Sequence, residues 1–319
     1  MISVAVCTYN GEKHIKEQLN SIIIQTVPPD EVIICDDQSK DRTLDVIDRI
    51  VKNTKISFRV IRNAKNLGYR KNFEQAISFC KGDIIFLSDQ DDIWHADKIE
   101  KVMSCFENPD VMMVHHNDVL VDEKLHILLD SYWDGMGFPL KKFRRKDMSP
   151  LFLRNYVQGS ACAFRKCVYD VAAPFPLCAV HDEWLALIAM QLGKISSIEE
   201  PLMDYRQWGN NSIGVCVPKV KDKLNVYIYN LKKRMEEHIK EVTNRKYVFE
   251  ALQKRLREKN INFVAPYDMT NFENERLNFI YKKRNTIPFH EYYSYCGIYE
   301  DTKQLIKDII ARYSMKELK

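Results

Sequence analysis

Asp83-Ile84-Ile85-Phe86-Leu87-Ser88-Asp89-Gln90-Asp91-Asp92-Ile93-Trp94 is an apolar strand that runs straight into three carboxylates within four residues. Like charges that close repel, and a fold keeps them only where something positive offsets them. A divalent cation carrying a phosphorylated substrate is the natural counterpart, and an oxygen-only ligand set favours Mg²⁺ or Mn²⁺ over Zn²⁺. An isolated Asp-x-Asp is more simply a solvated turn that caps the next helix. The surroundings of this one decide against that account.

Upstream, strand and helix alternate. Residues 2–7 read as a buried strand. Residues 12–26 read as a helix with Ile15, Leu19, Ile22 and Ile23 on one face, ended by Pro28-Pro29. Further strands are expected at 31–35, 56–62 and 83–88, and further helices at 41–53 and 70–80. This order predicts an α/β fold, a mostly parallel sheet with helices on both faces, and ligands beyond the carboxyl ends of the strands. The four strands run into Thr8-Tyr9-Asn10-Gly11, Asp36-Asp37-Gln38-Ser39, Asn66-Leu67-Gly68-Tyr69-Arg70 and Asp89-Gln90-Asp91-Asp92. All four clusters are therefore expected along one rim. A carboxylate at the second strand's end can accept from a base N–H or from ribose hydroxyls, and Tyr9 can stack on a base. The plainer alternative makes Ser39 or Asp41 a helix cap and Asp36-Asp37 an exposed turn.

Beyond residue 95 the pattern is mixed: a helix near 95–107, a strand at 110–115, a polar excursion, and a helix at 180–192 holding His181-Asp182-Glu183-Trp184. A strand then leads into Tyr205-Arg206-Gln207-Trp208-Gly209-Asn210-Asn211. Between Pro218 and Pro266 there is neither Gly nor Pro, and Leu224, Ile228, Leu231, Met235, Ile239 and Val242 keep helical spacing. One long helix or a helical hairpin is expected there, with a last helix near 300–313.

The 319 residues are enough for a large domain and an appendage. No apolar run approaches the roughly 20 residues of a membrane span, and the N-terminus starts a strand with no basic leader, so a cytoplasmic chain is expected. The nine cysteines include no Cys-x-x-Cys, which reads as reduced thiols and speaks against structural zinc. Residues 215–319 hold 22 Lys and Arg against 14 Asp and Glu, whereas residues 1–214 hold 26 against 30. The basic end could meet an anionic membrane surface; nucleic acid has no motif support beyond charge. No glycine-rich phosphate loop or dinucleotide fingerprint occurs, so a metal and side chains must hold any phosphate.

Val4-Ala5-Val6-Cys7-Thr8-Tyr9-Asn10-Gly11, Asp36-Asp37-Gln38-Ser39-Lys40-Asp41-Arg42-Thr43 and Asp89-Gln90-Asp91, in this order, resemble family-2 glycosyltransferases. Asn66-Leu67-Gly68-Tyr69-Arg70, Ser88 to Trp94, His181 to Trp184 and Tyr205-Arg206-Gln207 resemble bacterial members that build O-antigen, capsule or rhamnan-type polysaccharide. The resemblance covers about residues 1–214. It implies a GT-A fold, a Rossmann-like mixed sheet, with nucleotide-sugar binding in 1–115, acceptor binding in 116–214 and a helical basic region in 215–319. It implies a nucleotide-diphosphate sugar donor held by Thr8, Tyr9, Asn10, Asp36, Asp37, Asn66, Arg70, Asp89 and Gln90. It places Mg²⁺ or Mn²⁺ on Asp91 and Asp89, and makes Asp182 the base of an inverting displacement onto a lipid-linked glycan. Asp92, Trp94, His181, Glu183, Trp184, Arg206 and Gln207 fall near the acceptor or behind these groups. Peripheral contact with the inner membrane through the basic end, and a homo-oligomer, are left open.

One departure stands out. Members of this group usually carry Tyr-Arg-Gln-His-Gly-Asn-Asn, where the His can complete the metal site; here Trp208 takes that place, and an indole cannot ligate a metal. Asp91 is then expected to carry more of the metal binding. Trp208 also keeps a second account open, a non-catalytic scaffold in a polysaccharide assembly complex. A sugar-nucleotide pyrophosphorylase is disfavoured, because Thr8-Tyr9-Asn10-Gly11-Glu12 is not a glycine-rich basic loop.

Overall fold

The computed structural model describes residues 1–152, 154–208 and 224–264, the side chains of 224–239 excepted. The chain divides into two units, Met1–Val215 and Cys216–Lys319. The expected helix near 300–313 and the residues Gly209 to Asn211 lie outside the described residues.

The first unit is built on a nine-stranded sheet. Its parallel half is β1 (Ile2–Thr8), β2 (Glu31–Asp36), β3 (Ser57–Arg62) and β4 (Ile84–Ser88), in the order β3-β2-β1-β4. Every residue of β1, β2 and β4 is buried, as expected of parallel strands covered on both faces. Ile2, Val4 and Val6 share a core with Ile15, Leu19 and Ile22 of α1 (Ile15–Ile23) and Ile47 of α2 (Thr43–Val51). The alternate residues turn toward α3 (Tyr69–Phe79), which packs on β1 and β2.

The sheet becomes antiparallel where β4 meets β8 (Cys162–Arg165), which pairs with β6 (Val111–Val121). β6 runs parallel to β9 (Lys194–Arg206), and β5 (Ile93–Trp94) closes the edge on β9. The sheet is thus mixed, as the resemblance implied, rather than mostly parallel. Two long strands replace the short ones expected here, because β6 and β9 are bulged and carry polar residues that break a simple apolar count.

The polar excursion has its own structure: β7 (Ile127–Leu129), α5 (Tyr132–Met136) and α6 (Leu140–Arg144). Trp133, Phe138 and Phe143 pack together there around His115. The remaining helices are α4 (Lys98–Cys105), α7 (Lys166–Ala172) and α8 (His181–Leu192). α8 is apolar nearly all round and buried from His181 to Ala189, so it is an internal helix.

In the second unit, α9 (Leu224–Glu258) is one helix of 35 residues. Val242, Val248, Phe249, Leu252 and Leu256 are buried on it. Among the described residues no helix is long and apolar enough to cross a membrane.

Candidate active site

The four strand-end clusters converge. A cavity of about 640 Å³ in the first unit is lined by Thr8, Tyr9 and Asn10 after β1, Asp37 after β2, Asn66 and Gly68 before α3, and Asp89, Gln90 and Asp91 after β4. Asp182, at the first turn of α8, lines the same cavity.

The wall at the strand ends is wired through side chains that grip backbone. Asp37 accepts from Leu67 N at 2.7 Å, Gly68 N at 2.9 Å and Asn63 Nδ2 at 2.8 Å. Gly68 must be glycine here, because its φ is 76°. Gln90 holds Tyr9 at both ends: Tyr9 N donates to its Oε1 at 2.8 Å, and its Nε2 donates to Tyr9 O at 3.0 Å. A side chain at Gly11 would meet that Oε1 at 2.2 Å, so the glycine keeps room for the clamp. Gln90 therefore shapes the wall through Tyr9. Asp36 lies outside the cavity lining, fully buried, and takes Thr8 Oγ1 at 2.9 Å and Ser39 N at 2.9 Å. It fastens β1 to the turn after β2.

Asp89 and Asp91 sit deeper. Burial, then the charges of Asp91 and Asp182, pushes Asp89 up to about 7, with Lys98 pulling the other way. Burial also raises Asp91, opposed by the Trp208 indole, His14 and Arg206. Trp208 Nε1 donates to Asp91 Oδ2 at 2.6 Å, and its ring meets His14 edge-on at 4.9 Å. The indole thus steadies the carboxylate that the expected His would have joined as a ligand. Asp92 faces away from the cavity. It is buried, held well above its ordinary range by burial and then by Asp91 and Asp89, and accepts from Arg206 N at 3.2 Å.

Lys98 was not singled out in the sequence. It is completely buried, donates to Ser160 O at 2.7 Å and lies 3.8 Å from the Trp94 ring centroid. Burial drives it down to about 7, while Asp118, Asp92, Cys162 and Asp89 support its charge. The signal was present: Lys98 and Val102 fall on one stripe of α4 that its C-cap Phe106 continues, and a lysine in an apolar stripe needs a buried partner.

Asp182 is buried. Asn155 Nδ2 donates to its Oδ1 at 2.9 Å and Glu183 N donates at 2.7 Å, while Gly159 adds a backbone bond. Burial nevertheless pushes it up to about 6. A carboxylate held rigidly with a proton affinity near neutrality suits proton acceptance. His181 is buried beside it, stacked on Phe73 at 4.3 Å and driven down to about 3 by burial, so it stays neutral and packs.

Arg70, expected at the donor, sits elsewhere, and the residues expected near the acceptor or behind these groups, His181 apart, fall outside the cavity lining. Arg70 does not line the cavity; its Nη1 donates to Leu177 O at 2.9 Å. Trp184 is core and donates to Ala172 O at 2.9 Å, and Trp94 is core over Lys98. Neither ring faces the cavity, because each is packed within the interior. Glu183 is buried outside the lining, as is Arg206, which donates to Glu17 at 2.6 Å and to His14 Nδ1 at 2.8 Å. Gln207 does not line it either.

The donor set fits a hard divalent cation. Two carboxylates share the cavity floor and their repulsion is offset only in part. Among the described residues no group of three His, Cys, Asp or Glu is placed to hold an ion. Two carboxylates would then be completed by substrate phosphate oxygens and water, a common Mg²⁺ arrangement.

The model of glycosyl transferase family 2 matches residues 3–170. The chain belongs to this family. A dTDP-rhamnosyl transferase, RfbG, of Shigella flexneri is 36% identical over 227 residues, covering 66% of this chain and 74% of that protein. An uncharacterised glycosyltransferase of Haemophilus influenzae is 27% identical, covering 67% and 68%. Mycobacterial relatives are matched over only 58% of their length. Among solved structures, S. aureus TarS 1–349 in complex with UDP-GlcNAc aligns with a TM-score of 0.56 at 18% identity, covering 99% of this chain and 91% of that one. The mannosyltransferase PcManGT of Pyrobaculum calidifontis, in complex with GDP-Man and Mn²⁺, aligns with 0.55 at 16% identity, covering 99% and 86%. At these identities the structures establish the GT-A-like fold.

Proposed function

We propose that the chain transfers a sugar from a nucleotide-diphosphate donor to a lipid-linked glycan, inverting the anomeric centre. The observation that carries this is the single cavity that holds Asp89, Asp91 and a buried, thrice-bonded Asp182. Tyr9 offers its ring to the base, and the Asp37-ordered loop at Asn66 to Gly68 lies against the nucleoside. Asp182 takes the proton of the acceptor hydroxyl as its oxygen bonds to the anomeric carbon. The bond from that carbon to the diphosphate breaks, and the nucleoside diphosphate leaves with the electron pair. A divalent cation on Asp91 and Asp89 would neutralise charge on the leaving diphosphate.

The similarity to a dTDP-rhamnosyl transferase makes a dTDP-linked deoxysugar the first donor to try, and UDP-GlcNAc and GDP-Man, bound by the two structural neighbours, the next. The surplus of 22 basic over 14 acidic residues in 215–319 supports contact with an anionic membrane surface, where a lipid-linked acceptor resides. The decisive experiment incubates the purified chain with a panel of nucleotide sugars and Mg²⁺ or Mn²⁺ and follows slow donor hydrolysis. One donor should be consumed, and with that donor and a lipid-linked glycan acceptor added, neither Asp91→Ala nor Asp182→Asn should match the unaltered chain in transfer. If both variants transfer normally, this assignment of the site is wrong.

The bond from Trp208 to Asp91 favours one second reading, a scaffold without turnover, since it occupies an oxygen a metal would use. Calorimetry separates the two: metal-dependent binding of a nucleoside diphosphate supports the enzyme, and its absence the scaffold.

A further inference from the structure

A second part of the cavity wall comes from residues 132–138 and 154–156. It presents Tyr132, Trp133, Phe138 and Tyr156 to the cavity. Four carboxylates line the same cavity, Asp37, Asp89, Asp91 and Asp182. Among the described lining residues one Lys or Arg faces this negative charge, Arg154. Arg70, expected at the donor, and Arg206, expected near the acceptor or behind it, are committed elsewhere, Arg70 to Leu177 O and Arg206 to Glu17 and His14. Arg154 is exposed, stands 5.5 Å from the Tyr156 ring centroid, and forms no ion pair with any described residue. Its neighbour in the chain, Asn155, donates to Asp182. Burial raises the Tyr132 phenol, and the charges of Asp118, Arg154 and Asp182 act on it.

We propose that Arg154, Tyr132 and Tyr156 form a subsite for an anionic sugar of the acceptor, its carboxylate or phosphate on the guanidinium and its ring against the phenols. The guanidinium fork matches either anion with two parallel hydrogen bonds. The phenol rings offer an apolar face with a polar edge, which suits a pyranose. Because Arg154 and Asn155 are adjacent, roughly 3.8 Å apart along the backbone, an anion seated on the first brings a nearby hydroxyl toward Asp182. A neutral acceptor would leave the guanidinium unused, and an anion without it would face four carboxylates. The word acceptor rests on the transferase reading above; the binding itself does not.

The test uses the full chain with Mn²⁺ and a nucleoside diphosphate. Methyl β-glucuronide, a hexose 1-phosphate and methyl β-glucoside are titrated by saturation-transfer NMR. At least one anionic probe should bind roughly tenfold tighter than the neutral glycoside, as one charge-assisted pair allows. Which of the two does so names the anion. Arg154→Gln should abolish the preference and leave the neutral glycoside unchanged, and Arg154→Lys should keep part of it. No preference in the unaltered chain overturns the subsite. So does an Arg154→Gln that weakens the nucleoside diphosphate while sparing the anionic probes, since the guanidinium would then serve the donor. Hydrolysis of a nucleotide sugar, followed in separate samples of the same protein, reports on the transferase reading independently. Its absence with an intact anion preference removes that reading and keeps the subsite.

Discussion

The two walls of the cavity are built by opposite means. On the donor side, side-chain carboxylates and amides grip backbone: Asp37 on Leu67 and Gly68, Gln90 on both ends of Tyr9, Asp36 on Ser39. On the far side, rings pack on rings, with Trp133 and Phe138 stacked at 4.0 Å and 10° and Phe143 and Tyr156 against them. Directional bonds fix positions closely and fail abruptly when one partner is lost. Ring packing fixes an envelope and yields by degrees. Under the proposed transfer, holding a nucleoside diphosphate over a cation would call for the first construction, and admitting a glycan for the second.

Asp182 stands between the walls and gives the largest expected effect. Asp182→Asn should lower turnover about 10³-fold, within the usual range for a general base, while calorimetric donor affinity changes little. Its carboxyl is pushed up to about 6 by burial, and only the ionised form accepts a proton. The rate should therefore fall about tenfold per pH unit below about 6 and level off above it. A flat acid limb would remove Asp182 from the proton transfer.

The donor wall breaks next. Asp37→Ala leaves the amides of Leu67 and Gly68 without their acceptor, and donor affinity should fall about 100-fold, near the upper range for charged hydrogen bonds. On the far wall, Phe138→Leu should raise the acceptor KM only about threefold and cost about 1 kcal/mol of stability, a volume change that the surrounding rings absorb. Comparable losses from both substitutions would erase the contrast between the walls.

That contrast also explains what the sequence disclosed. β1, β2 and β4 are apolar runs buried on both faces, and each delivers its polar cluster to the same rim, so the donor wall follows from strand order alone. The far wall hangs on α5 and α6, five residues each, too short for helical periodicity to show. Its members are drawn from rings that in sequence look like any others. Arg70 misled because its place in the motif is beside the donor, whereas its guanidinium is drawn off by Leu177 O. For Trp94 and Trp184 the sequence left two places open, near the acceptor or behind the site, because an aromatic beside a catalytic motif is as often its foundation as its surface; both rings are core.

Metal binding tests the floor shared by both walls. Asp89 is pushed up to about 7 by burial and by the carboxylates around it, so below that pH it carries a proton that a cation must displace. Mn²⁺ with nucleoside diphosphate should bind more weakly as pH falls from 7.5 to 6, with net proton release. Calorimetry in buffers of different ionisation enthalpy measures that release. Pure pH-independent binding would mean Asp89 is ionised already.

The smallest expected change concerns Trp208. Its N–H holds Asp91 Oδ2 at 2.6 Å, and its ring packs edge-on against His14. An indole can only donate, so this contact steadies Asp91 while competing with a cation for one of its oxygens. Trp208→His would exchange that donor for an imidazole able to ligate, and should tighten Mn²⁺ about threefold, the modest gain reflecting the loss of the indole's packing on His14. Trp208→Phe separates the two effects, since it keeps a ring and removes the hydrogen bond: Asp91 should lose its fixed orientation and Mn²⁺ should bind more weakly than in the unaltered chain. If Phe instead tightened the metal as much as His, the indole would be acting as a competitor, and Asp91 would need no support from the residue that replaced its expected co-ligand.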